Sequence, residues 1–209
     1  MPSSEITETP PAATSHDDDR YERPPAWVAA ELPPRHAQIT ADVDALQREA
    51  RKIEAIGALL WRTGLPLIHA VRDTFAFMGF ATEVADQKAN YDVSVQLDGG
   101  RRFLIEVAAS AEAVDRTSPK ITRILQTIQL DATDRDKVVL VVNACCNTPI
   151  QDRKQEPVTL DGLKLIAGLG ATVITTSTLF ATWKYSLRDA ADARKIVNSL
   201  HAFVGGLYK

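Results

Sequence analysis

Asp92 and Glu106 are the residues whose types and spacing could do chemistry. They sit on two alternating apolar runs, "YDVSVQL" and "RFLIEV", separated by Asp98, Gly99 and Gly100. A three-residue hairpin loop there pairs Leu97 with Arg101. Carried down the strands, that register sets Asp92 opposite Glu106, with Cβ atoms roughly 4.5–5.5 Å apart. It also sends Val93, Ile105, Val95 and Phe103 to the other face as dry core, while Ser94 and Gln96 stay with Asp92. Two carboxylates so close repel each other unless a cation lies between them. A divalent metal such as Mg²⁺ answers that need, with water and a substrate phosphate in its other positions. The bland alternative is that the pair solvates the end of the sheet or meets arginines.

The pattern around the hairpin says what must position the pair. "LIHAVRDTFAFMGF" predicts a helix with Ile68, Val71, Phe75 and Met78 as its buried stripe and Gly79 at its end. Strand-like runs follow at "ATEVA", "YDVSVQL", "RFLIEVA", "KVVLVVNA" and "ATVITT", with helices expected over about 119–131, 159–168, 177–187 and 189–204. A hairpin followed by β–α–β crossovers predicts a mixed α/β sheet with helices on its faces. Upstream, Ile39, Val43, Leu46, Ala50, Ile53, Gly57 and Leu60 are spaced alternately four and three apart. That is a heptad seam on a long amphipathic helix, expected over 36–62. It could pair with a second copy through Ile39, Val43, Leu46, Ile53 and Leu60, or lie along its own domain. Residues 1–35, rich in Pro and acids, predict a disordered tail, and residues 63–209 the α/β domain. "HDDD" within the tail reads as a solvated charge run.

Charge and composition narrow the classes. The 209 residues carry a formal charge of −3. The tail holds seven acids against Arg20, Arg23 and Arg35, leaving 20 acids and 21 bases in residues 36–209. A constitutive nucleic-acid binder would be more basic. Cys145 and Cys146, adjacent and expected on a strand, point to opposite faces and cannot bridge without strain, so both are expected as buried reduced thiols. The N-terminus shows no apolar signal core, and no apolar run approaches the roughly 20 residues of a membrane span. The expected location is the cytoplasm, with no membrane partner. No glycine-rich phosphate loop, HExxH pair or CxxC motif is present.

The segment from about Leu65 to Phe180 resembles the restriction-endonuclease-like, PD-(D/E)XK nuclease superfamily. The likeness rests on "FMGF", Asp92, "IEVAAS", "ITRILQTIQ" and "VVLVVNA", in that order over a little more than half the chain. It implies a restriction-endonuclease-like fold, with Asp92 and Glu106 holding Mg²⁺ and a lysine two residues after the glutamate acting on the attacking water and the developing phosphoryl charge. This chain has Ala108 at that position, on the same strand face as Glu106. Relatives often carry a glutamate in the preceding helix, where this chain has Ile68. Lys120 and Arg123, one turn apart on the next helix, are the substitutes within reach. Their bland reading is a solvated basic face. Arg102 shares Glu106's face but lies roughly 13 Å back along the strand.

Further candidates are His69, as a base beside Asp92 or an ordinary helix histidine, and Arg153 with Lys154, which could meet a phosphate from the long loop after Asn143. Three functions stay open on these residues. The leading one is a degenerate nuclease-fold protein that binds nucleic acid or a protein partner, in a setting of DNA repair, restriction or phage defence that the resemblance implies. It has Lys120, Arg123, Arg153 and Lys154 as nucleic-acid contacts. The second is an active Mg²⁺-dependent nuclease using Asp92 and Glu106, with Lys120 as a migrated lysine. The third is a dimeric adaptor that touches neither DNA nor RNA.

Overall fold

The computed structural model describes residue 25 and residues 27–207. The tail predicted over residues 1–35, with its "HDDD" run, lies largely outside them. The chain divides between Arg48 and Glu49 into two units. The first holds a short helix α1 (Val28–Glu31), preceded by an exposed Trp27, and most of α2 (Pro34–Gly57). This helix starts at Pro34 and ends at Gly57, short of the 36–62 expected. Ile39, Val43, Leu46 and Ile53 of its seam are exposed. Leu60 departs from the seam: it belongs to a 3₁₀ turn, Ala58–Leu60, and packs against the domain core beside buried Ile56 and Leu59.

The second unit is α/β. Helix α3 (Gly64–Phe77) leads into β1 (Thr82–Val84), β2 (Val93–Gln96) and β3 (Arg102–Ser110). Then come α4 (Pro119–Gln126) with a π turn over Thr127–Asp131, β4 (Asp136–Ala144) and α5 (Leu160–Gly168). The chain continues through β5 (Thr172–Thr175), α6 (Thr176–Ser186), α7 (Ala190–Ser199) and β6 (Gly205–Leu207). The six strands form one mixed sheet in chain order, antiparallel from β1 to β3 and parallel from β3 to β6. The strand β6 was not expected; two of its three residues are glycines, which leave no alternating pattern to read.

The hairpin has the predicted register. Val93 pairs with Ile105, Ser94 with Leu104, Val95 with Phe103 and Gln96 with Arg102. Leu97 N–H donates to Arg101 O across the loop at 2.8 Å. Gly99 and Gly100 supply φ values of 76° and 72° there, conformations that a Cβ would oppose. One side chain of each alternating pair packs beneath α3, α6 and α7, where Val93, Val95, Phe103, Ile105 and Val107 meet Val71, Phe75 and Trp183. The other side faces α4 and α5, where Leu104, Ala108, Leu140 and Val142 meet Ile121, Ile124 and Ile166. The sheet is thus buried on both faces, the condition under which parallel strands are stable.

Beyond β4 the chain turns at Cys145, whose φ is 52°. The two cysteines therefore lie in this turn and not on the strand as expected; both thiols are free, and only Cys146 is buried. The loop that follows is anchored by Arg153. Its Nη1 donates to Asn143 Oδ1 at 3.0 Å, its Nη2 to Leu60 O at 2.5 Å and its Nε to Thr148 O at 2.8 Å. Asn143 is fully buried; it also accepts from Thr176 Oγ1 and donates to Arg62 O. This clamp joins the end of β4, the start of α6 and the turn before α3. Lys154 beside it is exposed. Arg153→Ala should cost about 1–3 kcal/mol, since it strands acceptors in partly buried surroundings, whereas Lys154→Ala should stay within about 0.5 kcal/mol of wild type. Urea unfolding of the two variants measures the difference.

Candidate functional site

Glu106 lies on β3 beside Leu140 of β4, on the sheet face that α4 covers. Its side chain has no exposed surface, and an isolated charge in that position would be costly. Residues on α4 offset part of that cost. Lys120 and Arg123, three apart, share one face of the helix, while Ile121 and Ile124 bury the adjoining stripe against the sheet. Ser118 caps α4, accepting from Lys120 N–H, and Pro119 occupies its first turn, which needs no N–H. The crossover from β3 thus returns α4 over the strand it left, and brings Lys120 back to Glu106.

Lys120 Nζ donates a short hydrogen bond to Glu106 Oε1 and lies 3.6 Å from Asp92 Oδ2. Arg123 spans the same two acids, with Nη2 3.4 Å from Asp92 Oδ1 and Nε 3.3 Å from Glu106 Oε2. The result is a four-charge centre in which each cation touches both carboxylates. Lys120 and Arg123 are each about one-third exposed, Asp92 is nearly buried and Glu106 is wholly so. Burial pushes the Glu106 carboxyl up to about 7, and the neighbouring Asp92 charge adds to the rise; Lys120 and Arg123 oppose it. Glu106 Oε2 is buried and has no hydrogen-bond partner among the described residues.

Asp92 lies one step beyond the last hairpin pair and is held by its own carboxylate. Its N–H donates to Ile105 O at 2.8 Å, and its Oδ2 accepts from Val107 N–H at 2.8 Å. The side chain therefore continues the ladder where backbone pairing stops. The loop before it is tied to the helix of cations. Asn90 donates to Asp131 Oδ2 through its amide side chain, and its carbonyl accepts from Thr127 Oγ1 at 2.7 Å. The α4 segment thus supplies both cations and also fixes the approach of Asp92.

Ala108 is buried in the cluster that seats α4, with Val114, Ile121 and Ile124. A lysine there would place its stem in that packing. The remaining sequence candidates separate. Ile68 packs partly buried against the core under α3 and lines a cavity together with Asp92 and Arg123, but it brings no ligating group. His69 is exposed on α3. Arg102 makes a bidentate pair with Asp136, both contacts at 2.9 Å. Arg153 is committed to the clamp on β4. Missing from the sequence reading were Asp92's bond to Val107 N–H and the ties from Asn90 to Thr127 and Asp131. All are side-chain contacts between distant segments, and none leaves a local periodic signal.

No group of three or more His, Cys, Asp or Glu side chains poised to hold a metal is found among the described residues. The donor set on offer is the pair of hard carboxylates, one with an oxygen that lacks a hydrogen bond. Hard carboxylate oxygens are the donors that an oxygen-preferring divalent cation takes, and here each acid is in ion-pair contact with both Lys120 and Arg123.

The raised pKa of Glu106 has a direct consequence. A folded-state value near 7, against an ordinary 4.5, means the native protein holds this proton more tightly than the unfolded chain. Its stabilising contribution is full below about pH 4.5 and is lost as pH rises through about 7. Wild type should therefore lose up to about 3 kcal/mol relative to Glu106→Gln between pH 4.5 and pH 8. Urea unfolding of both proteins at the two pH values gives the difference.

Compared with family models, curated proteins and solved structures, the chain matches none.

Proposed function

We propose that this chain is a restriction-endonuclease-like, metal-dependent phosphodiesterase acting on nucleic acid, in which the strand lysine has moved to α4 as Lys120. The observation that carries this reading is the place of the Lys120 ammonium, on Glu106 and beside Asp92. A migrated lysine has to occupy that place, and a residue on a merely solvated helix face has no reason to. Asp92 and Glu106 are the residues that would hold Mg²⁺, which supplies Lewis acidity and an activated water at the phosphodiester. Lys120 stabilises the negative charge that builds on the phosphoryl oxygens and orients the attacking water. Arg123 offers guanidinium N–H groups to a non-bridging phosphate oxygen. With the acids engaged elsewhere, both cations are released from charge pairing. Arg153 has no part in this chemistry, because its donors are used within the fold.

A second reading, a non-catalytic binding module, is favoured by the charge balance of the same centre. Two acids and two cations compensate one another without any ion, and such a quartet can serve the fold alone. The exposed apolar seam of α2 would then be the working surface, for a second copy or another protein. Under either reading we place the protein in the cytoplasm.

Cleavage assays on single- and double-stranded DNA with Mg²⁺ or Mn²⁺, run beside calorimetric titration of the metal, separate the two. The nuclease reading expects metal binding that is lost in Glu106→Ala, and cleavage that falls about 10²–10³-fold in Lys120→Ala. Wild type that neither binds metal nor cleaves any strand would sink it in favour of the binding module.

A further inference from the structure

A cavity of about 270 Å³ opens beside the four-charge centre. Leu65 and Ile68 of α3 and Val84 of β1 form an apolar wall, Tyr91 adds an aromatic ring, and Asp92 and Arg123 stand at the edge shared with the centre. Arg123 is the link. Its side chain is one-third exposed, with the guanidinium ion-paired at 3.3–3.4 Å and without a hydrogen-bonded acceptor among the described residues. It has N–H groups to give to an incoming anion. A ligand that fills this space is therefore an anion joined to a flat, largely apolar group that has polar edges. The loop beside Tyr91 presents the exposed polar side chains of Asp86 and Gln87 at the rim.

We propose that the cavity receives one unpaired base of a single-stranded nucleic acid whose adjoining phosphate is held by Arg123. The inference deepens the phosphodiesterase reading and rests on it for the fate of that phosphate, though not for the binding itself. The geometry selects the substrate class. A base within a duplex is stacked and paired, and reaching a side cavity requires it to be extruded. A single strand or a frayed end has no such requirement, and every base presents a face that can stack on an aromatic ring.

The test is fluorescence anisotropy with labelled 12-nucleotide single-stranded DNA, the same sequence as RNA, and a blunt DNA duplex, all in Ca²⁺. Two variants fill the cavity from two lining positions: Ala85→Trp, whose N–H to Asp92 O bond is backbone and survives substitution, and Ala89→Trp. Thermal unfolding shows that each is folded. The proposal expects wild type to bind single strands at least tenfold tighter than duplex, and each folded variant to lose at least tenfold of the single-strand affinity. A preference between DNA and RNA identifies the sugar of the ligand and supports the proposal either way. Wild type that binds this way in Ca²⁺ but cleaves nothing when Mg²⁺ or Mn²⁺ is supplied leaves the base cavity standing and removes the phosphodiesterase reading. Folded variants that bind single strands as wild type does, or a wild type that prefers duplex, overturn it.

Discussion

The burial of one carboxylate sets the terms for the rest of the domain. Glu106 is fully enclosed between β3, β4 and α4, where an unpaired charge would weigh heavily against folding. Around it the structure supplies a second acid, which worsens the problem, and two cations, which offset part of it. Neither cation is local in sequence. Both arrive on a helix reached by a crossover, so Glu106 is tolerable only once that crossover has folded. A buried pair of this sort is poor evidence for stability. Replacing such groups with apolar residues is often neutral or stabilising, and the Glu106 carboxyl, raised to about 7, shows the strain in the arrangement. Groups held at such cost, with pKa values displaced toward neutrality, are found most often where chemistry is done.

The fold was readable wherever a face alternates. Period-two patterning and the Gly99-Gly100 turn fix the hairpin to the residue, because a slip of one position would turn Val93, Val95, Phe103 and Ile105 into solvent. The helices were readable for a similar reason, and α3 ends where Gly79 takes a φ of 85°. Leu60 was misplaced because a heptad is only a spacing. Nothing in the sequence shows that the chain leaves the helical path at Ala58 and folds that leucine back onto the core. The cysteines were misplaced in the same way, since an apolar run does not announce the residue at which a strand turns.

The site was half legible. Asp92 and Glu106 emerge from strand register alone. Lys120 and Arg123 could be named as substitutes for the lysine that the resemblance leads one to expect where Ala108 stands, but helix spacing alone favours a solvated basic face. What distinguishes the two is the rotation and seating of α4 on the sheet. Those depend on Ile121 and Ile124 finding Leu104, Ala108 and Val142 across a parallel crossover. Arg153 is the opposite case. A basic residue in a long polar loop reads as a phosphate contact, yet the loop needed a clamp and spent the guanidinium on Leu60 O, Thr148 O and Asn143.

Ala108 and Lys120 are best understood together. A lysine on the strand, two residues past the glutamate, would rise from the sheet into the space where α4 packs. The small side chain at Ala108 lets the helix lie close, and a close helix can present its own cation to the same carboxylates. The two positions are complementary in volume: the methyl of Ala108 leaves room for the helix that carries Lys120. This arrangement also binds the centre to the loop that carries Asp92, because Thr127 and Asp131 at the end of the same helical segment hold Asn90. A strand-borne lysine would be fixed by the sheet whatever α4 did. A helix-borne one makes the geometry of all four charged groups depend on how one helix is seated.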